Sequence, residues 1–587
     1  MKPSRVIGAA AVAALALTPS AASAAPKPAD RVLRGGTIRT FDAQSSVVRA
    51  LAIRNGRIVY AGGTRGVRRF IGKGTRVQNL RGRTVMPGLS DAHIHVLAGG
   101  QQLLNCNLEY AALTVERFQS RIQTCLDKND SAGPNEFLQV VNWYRQAMLP
   151  PGTDATKATL DALKTERPII VASSDGHTTL VNSKALQIAG ITAATADPPS
   201  GRIEHDAHGE PSGILEDAAG GLVESKVPAP TAQDTRDALE AALKSLAADG
   251  VTAVGHQIAT RDALAAYRAL RRQGKLTLRV NAAPDVSVTE AAKDASAAVK
   301  RLLRLRSRYE TGPLRPRPGI RVRAAGELFQ DGVLQAPAHT ASLLAPYFDD
   351  QGNPTSDAGP APYWPDPTMR NLLVRLAKAG FTPQVHAIGD RAVRATLDDY
   401  AAVRQRVGGK PRLSIAHAEL VDPADYGRFK SLDVTPVMSF QWGKPAPDSI
   451  EAAKVFMGPE RFDRMEPEGR LQDAGARVAF GSDWPVDALS EFFAVEVGVT
   501  RSNDPASGYE GRLNSDPGLS RTEAFRAITA NSAYEMGTEK RTGSLERGKF
   551  ADYIVVAKDP MKVPATAISK TKVLRTVVGG RTVFRAR

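Results

Sequence analysis

Apolar and polar positions alternate in three regimes along this 587-residue chain. From Arg31 to Val85 the alternation is short and two-residue in period, in "GGTIRTFD", "VVRALAIRNGRIVYAGG" and "TRVQNLRGRTVMPG", as half-buried β-strands require. Asn55-Gly56, set between alternating apolar residues, predicts a tight hairpin turn. The far end repeats this character in "TGSLERGKFADYIVVAKDP" and "KVLRTVVGGRTVFR", with Gly579-Gly580 as a second hairpin turn. Two β-rich ends around a different middle predict one small domain assembled from 25–87 and 538–587.

In the middle, short apolar runs alternate with helical patterns. Strands are predicted at Met86–His93, Val251–Gly255, Leu276–Ala282, Ile320–Phe329, Thr382–Val385, Leu413–Ile415, Val434–Ser439 and Val478–Phe480. Asp234 is a candidate N-cap for a helix closing at Gly250, Asp390 for one beginning at Arg391, and "DPTMRNLLVRLAKAG" closes at Gly380. Strand and helix repeated eight times point to an α/β fold, a (β/α)8 TIM barrel over 88–537, whose parallel strands end on one face. The stretch from Gly99 to about Pro230 exceeds what the repeat absorbs. It is read as an insertion, about 100–230, near the barrel mouth.

The N-terminus bears on localisation. Lys2 and Arg5 precede an apolar run from Val6 to Thr18, and Ala22-Ser23-Ala24 precede Ala25-Pro26. This is the pattern of a signal peptide, residues 1–24, cut after Ala24, which predicts a periplasmic or secreted protein. Such a run is too short to span a bilayer, and no apolar stretch of 18 or more follows, so stable membrane insertion is not expected. The only cysteines, Cys106 and Cys125, would reach an oxidising compartment where pairing is open to them. A bridge closing that loop would contribute about 3 kcal/mol.

A net charge of +16 raises the question of nucleic acid. The basic residues are scattered among Ala, Gly and Leu along helices, however, with only short clusters at Arg301–Arg308 and Arg315–Arg323. That is a solvated surface, and no nucleic-acid partner is expected.

The candidate chemistry lies at the ends of the predicted strands. His93 and His95 end the first, His386 in "TPQVHAIGD" the fifth, His417 in "LSIAHAEL" the sixth, and Asp483 in "VAFGSDWPV" the eighth. Residues two apart on a strand point to the same side, so His93 and His95 can aim at one point. A lone His-x-His is weak evidence, because a hydrogen-bonded core histidine explains most such cases. Four histidines and an aspartate at matching strand ends instead suit a divalent cation, Zn²⁺ first. Such an ion would activate water for hydrolysis, with Asp483 carrying the proton to the leaving nitrogen. The plain alternative for Asp483 is a loop turn before Trp484-Pro485.

With "VMPGLSDAHIH", "DGHTTLVNSKAL", "GELFQDGVL", "QVHAIGDRAV", "IAHAELV", "GSDWPV" and "GSLERGKFADYIVV", the chain resembles the amidohydrolase superfamily, and within it amidohydrolase family 3, the YtcJ-like group. The resemblance runs over nearly everything after the signal. It implies a distorted barrel with a small β-sandwich made of both termini, and metal-dependent hydrolysis of C–N bonds in a small amide, formamide or related acyl compound. It also implies that His93, His95, His386, His417 and Asp483 are the metal ligands and catalytic acid. Many members carry a carboxylated lysine bridging two metals where this chain has Glu327. A glutamate has the same two oxygens on a shorter stem, so Glu327 bridges only if its strand lies closer, and otherwise one metal or a strand-end salt bridge remains. Asp331 is a rival for that role. His177, in the insertion, is implied to point into the cleft, with a loop contact as its plain alternative.

Trp143 could wall the pocket or belong to the core. His205, His208, His256 and His339 receive no role. A mononuclear deaminase and a non-catalytic binding protein on the same scaffold are the other function classes, and a homodimer is compatible with the chain.

Overall fold

The computed structural model describes residues 26–587 except 130, 131, 151, 175, 177, 199, 200 and 337. The predicted signal peptide, and His177 with it, lie outside the described residues.

Among the described residues the chain has a mixed α/β fold with four sheets. Strands from both ends join in one eight-stranded sheet, in which Thr84–Pro87 pairs with Tyr553–Val556 on one side and with Arg31–Arg39 on the other. Val47–Arg54 and Arg57–Gly62 form the hairpin around Asn55-Gly56, and Val573–Val578 with Arg581–Arg585 the one around Gly579-Gly580. Leu33, Leu51, Val85, Tyr553 and Val577 are buried together, so neither chain end completes this core without the other.

The middle of the chain supplies parallel strands in chain order. Leu89–Ile94, Val251–Gln257, Arg279–Ala283 and Ile320–Arg321 form one sheet; Ala324–Phe329, Thr382–Ala387, Leu413–His417, Val434–Met438 and Ala479–Phe480 form the other. The backbone links them at both sides. Ile258 N–H donates to Gly326 O (3.0 Å), and at the far edge Asp483 N–H donates to His93 O (2.9 Å) and His95 N–H to Trp484 O (2.9 Å). Helices between these strands, such as Ala232–Asp249, Arg261–Arg272 and Asp390–Arg406, bury one apolar face each against them.

Several boundaries differ from the pattern-based reading. Met86–His93 is two strands, because the chain passes at Gly88 from the terminal sheet into the parallel one. A Cβ there would lie 2.2 Å from the Thr252 side chain, so only glycine allows the crossing. Ile320–Phe329 is likewise broken after Arg321, where one sheet gives way to the other. The helix expected to start behind Asp234 is capped by Thr231, with Asp234 the third helical residue of a capping box. Gly389, not Asp390, precedes the Asp390–Arg406 helix, and the Asp390 carboxylate instead accepts from Leu344 N–H.

Residues 106–217 build a six-stranded sheet of their own with an apolar cluster on each face. Cys106 and Cys125 are joined in a disulfide there. Trp143 is core: its side chain is buried against Phe118, with ring centroids 5.8 Å apart. Among the described residues no helix is long and apolar enough to cross a membrane.

Candidate metal centre

The sequence-distant strand ends bring six donors to one place. His93 lies within Leu89–Ile94 and His95 is the residue before the helix Val96–Leu104, where the chain turns and the two rings meet edge to face at 5.5 Å. Glu327 and His386 lie within their strands, His417 ends its own, and Asp483 stands just beyond Ala479–Phe480 in a left-handed backbone conformation (φ 56°). Glu327 reaches the centre because the pairing register shifts between Ala325 and Leu328. The approach is close: a Cβ on Gly326 would meet Gln257 Oε1 and Gln384 O at 2.9 Å each.

The Glu327 carboxylate divides the histidines into two pairs. Its Oε2 faces His93 Nε2 (3.5 Å) and His95 Nε2 (3.4 Å), while its Oε1 faces His386 Nδ1 (2.8 Å) and His417 Nε2 (3.0 Å). Asp483 Oδ1 stands 3.1 Å from both His93 Nε2 and His95 Nε2. His93 Nε2 and Asp483 Oδ1 are buried yet lack hydrogen-bond geometry to any partner. Orphaned lone pairs this deep are costly unless something else satisfies them. Three donor triples, His93–His95–Glu327, His93–His417–Asp483 and Glu327–His386–His417, each have their ligand atoms within 4.8 Å of one another. Imidazole nitrogens and carboxylate oxygens in this arrangement fit a divalent metal.

Electrostatics in the metal-free protein follow from this packing. Burial opposes protonation of His95, but Asp483 and Glu327 outweigh it and hold its pKa up at about 10. His386 is likewise opposed by burial and held at about 9 by Glu327 and Asp331. His417, buried beside His386, falls to about 4. Burial would raise both carboxylates, yet the facing histidines keep Glu327 and Asp483 well below the usual range.

The other sequence candidates separate from the cluster. Asp331 is spent on backbone, accepting from Ser342 N–H (2.9 Å), Ile388 N–H (2.9 Å) and Gly389 N–H (2.8 Å), and stays 4.0 Å from His386. It anchors the loop rather than ligating. His256 bonds Tyr267, His339 stacks on Tyr347, and His205 and His208 are exposed.

A cavity of about 1150 Å³ opens over the donors. His95, Glu327, His386, His417 and Asp483 form its floor; Tyr110, Tyr144 and Met148 from the six-stranded sheet region, with Phe329, Trp442 and Glu419, form part of its walls. Trp442 and Glu419 escaped notice in the sequence. Glu419 sits two residues beyond His417, a spacing that could have flagged it, whereas Trp442 stacks on the His417 ring (5.3 Å, 18°) through a contact no local pattern encodes.

The profile of the amidohydrolase family matches residues 76–584. The chain belongs to the amidohydrolase family. This amidohydrolase is 28% identical to Protein LONG AFTER FAR-RED 3 of Arabidopsis thaliana over 568 residues, covering 95% of this chain and 92% of that protein. It is 26% identical to an N-substituted formamide deformylase of Arthrobacter pascens over 564 residues, with 94% and 97% covered. A solved metal-dependent hydrolase from Pyrococcus horikoshii OT3 shares the fold at a TM-score of 0.69 and 23% identity, over 91% of this chain and 99% of that one.

Proposed function

We propose that this amidohydrolase hydrolyses the C–N bond of an amide, formamide or related acyl compound, and that divalent ions, Zn²⁺ first, would be held by His93, His95, Asp483, His386 and His417 together with Glu327. The observation that carries this reading is that the two oxygens of Glu327 face two different histidine pairs. His93, His95 and Asp483 would hold one ion and His386 with His417 the other. When bound, such ions supply Lewis acidity, bringing the pKa of water toward neutrality and polarising a carbonyl. Asp483 is ionised, lines the cavity, and is placed to take a proton from the attacking water and return it to the leaving nitrogen. The aromatic walls hold the organic part of the substrate and exclude bulk water. The formamide deformylase activity in the name of a relative that matches nearly end to end agrees with this bond type.

On the same reading the two parallel sheets are one distorted (β/α)8 barrel, the terminal sheet is a composite β-sandwich domain, and 106–217 is the insertion over the mouth. Export follows from the N-terminal pattern and accords with the Cys106–Cys125 bridge. Recovery of mature protein beginning at Ala25 outside the cytoplasm checks it, and a full-length N-terminus there contradicts it.

The experiment on activity is a panel of N-acyl amines, formamides and lactams, assayed before chelation, after chelation and after metal is restored. Loss and recovery of turnover are expected, with release of the amine from acyclic amides and formamides and ring opening to the amino acid from lactams. Activity indifferent to chelation contradicts the mechanism, and release of ammonia in place of an amine would indicate a deaminase.

A further inference from the structure

We propose that Gln384 is a positioning residue that fixes the tautomer of His93, so that His93 presents a bare Nε2 to the metal centre. The inference rests on the metal reading above and concerns a residue that touches none of the facing donor atoms on Glu327 or Asp483.

Gln384 lies on Thr382–Ala387, fully buried, two residues before His386 and therefore on the same side of the strand. Its Oε1 is 2.6 Å from His93 Nδ1. Which end of the amide faces the ring is decided by what surrounds the other end. Gln384 Nε2 has acceptors on three sides: Ala92 O (3.4 Å), Ser414 Oγ (3.5 Å) and Glu535 Oε1 (3.4 Å). Reversing the amide would press its oxygen against a carbonyl and a carboxylate. The oxygen therefore faces His93 and accepts, so Nδ1 must carry the proton. A neutral imidazole has one N–H, and Nε2 is left with its lone pair aimed between Asp483 (3.1 Å) and Glu327 (3.5 Å).

The other ligand pair is oriented differently. His386 places Nε2 3.1 Å from the Gly332 carbonyl and so turns Nδ1 toward Glu327. His417 Nδ1 has no hydrogen-bond partner, and that ring is held by stacking on Trp442. Of these three rings, only His93 has its proton fixed by a side chain that mutation can exchange. An outer partner of this kind sets ring orientation and ligand basicity.

The test is Zn²⁺ titration of metal-stripped wild type and Gln384→Leu, counting sites and affinities, alongside thermal melts that check the variant is folded. Gln384→Leu removes the acceptor and should weaken the first-filled or second-filled site, whichever His95→Ala also weakens, by roughly 10–100-fold, leaving the site sensitive to His417→Ala unchanged. Equal loss at both sites, or no loss, overturns the proposal. Long-range ¹H–¹⁵N spectra of the Zn²⁺-loaded wild type test it without any variant: a proton on His93 Nδ1 supports it, and one on Nε2 contradicts it. Wild-type protein that binds no Zn²⁺ would instead sink the metal reading itself.

Discussion

On one side of Glu327, His93 and His95 face a second anion, Asp483, and both imidazoles are pushed toward the protonated form. On the other, His386 and His417 share the Glu327 oxygen, with Asp331 4.0 Å from His386; His386 stays raised at about 9 while His417, buried beside it, drops to about 4. The first pair is clamped by backbone hydrogen bonds between its own strand end and the one bearing Asp483. The second hangs on a carbonyl and a stacked indole. One carboxylate serves two unlike neighbourhoods, one with Asp483 3.1 Å from both rings and one with Asp331 4.0 Å from a single ring.

The comparison breaks most visibly at Asp483. Asp483→Asn should lower kcat by about 10²–10⁴-fold while the His386–His417 side keeps its metal. Metal analysis together with turnover decides it, and near-normal turnover would move the proton carrier elsewhere. Glu327→Ala should weaken binding on both sides by at least roughly 10–100-fold, whereas His417→Ala should weaken one. A glutamate variant that loses only one ion would show that the carboxylate is not shared.

Metal uptake should also release protons in a pH-dependent way. Below about 9 both His95 and His386 carry protons in the metal-free protein, and ligation needs them neutral. Apparent affinity therefore rises with pH from 7 and levels off above about 10, and calorimetry at pH 7 in buffers of different ionisation enthalpy should show at least two protons released, from His95 and His386, with His93 adding to them as far as it is protonated. Zero net release would contradict the charge assignment. The smallest effect on the centre is expected from Cys106→Ser with Cys125→Ser, which should cost about 3 kcal/mol of stability and leave metal content unchanged.

Much of this was legible in the chain because strand ends leave a clear trace: an apolar run followed by His or Asp marks where a strand stops and a polar face begins. The placement of His93, His95, His386, His417 and Asp483 in one cluster follows from that trace. What the pattern could not carry depends on contacts distant in sequence. The break at Gly88 is set by Thr252, and the reach of Glu327 by a register shift that no spacing announces. Asp234 and Asp390 read as caps because their type suits the role, but Thr231 and a loop amide at Leu344 compete for the same bonds. Asp331 resembled a ligand until three backbone N–H groups claimed it. Gln384 was overlooked, although its spacing from His386 repeats the two-residue interval that singled out His93 and His95.

Anomalous diffraction at the zinc edge from crystals of the Zn²⁺-loaded protein tests the shared carboxylate most directly. The account predicts two peaks, one on each side of Glu327, the first among His93, His95 and Asp483 and the second beside His386 and His417. A single peak, or two on the same side of that carboxylate, would contradict it.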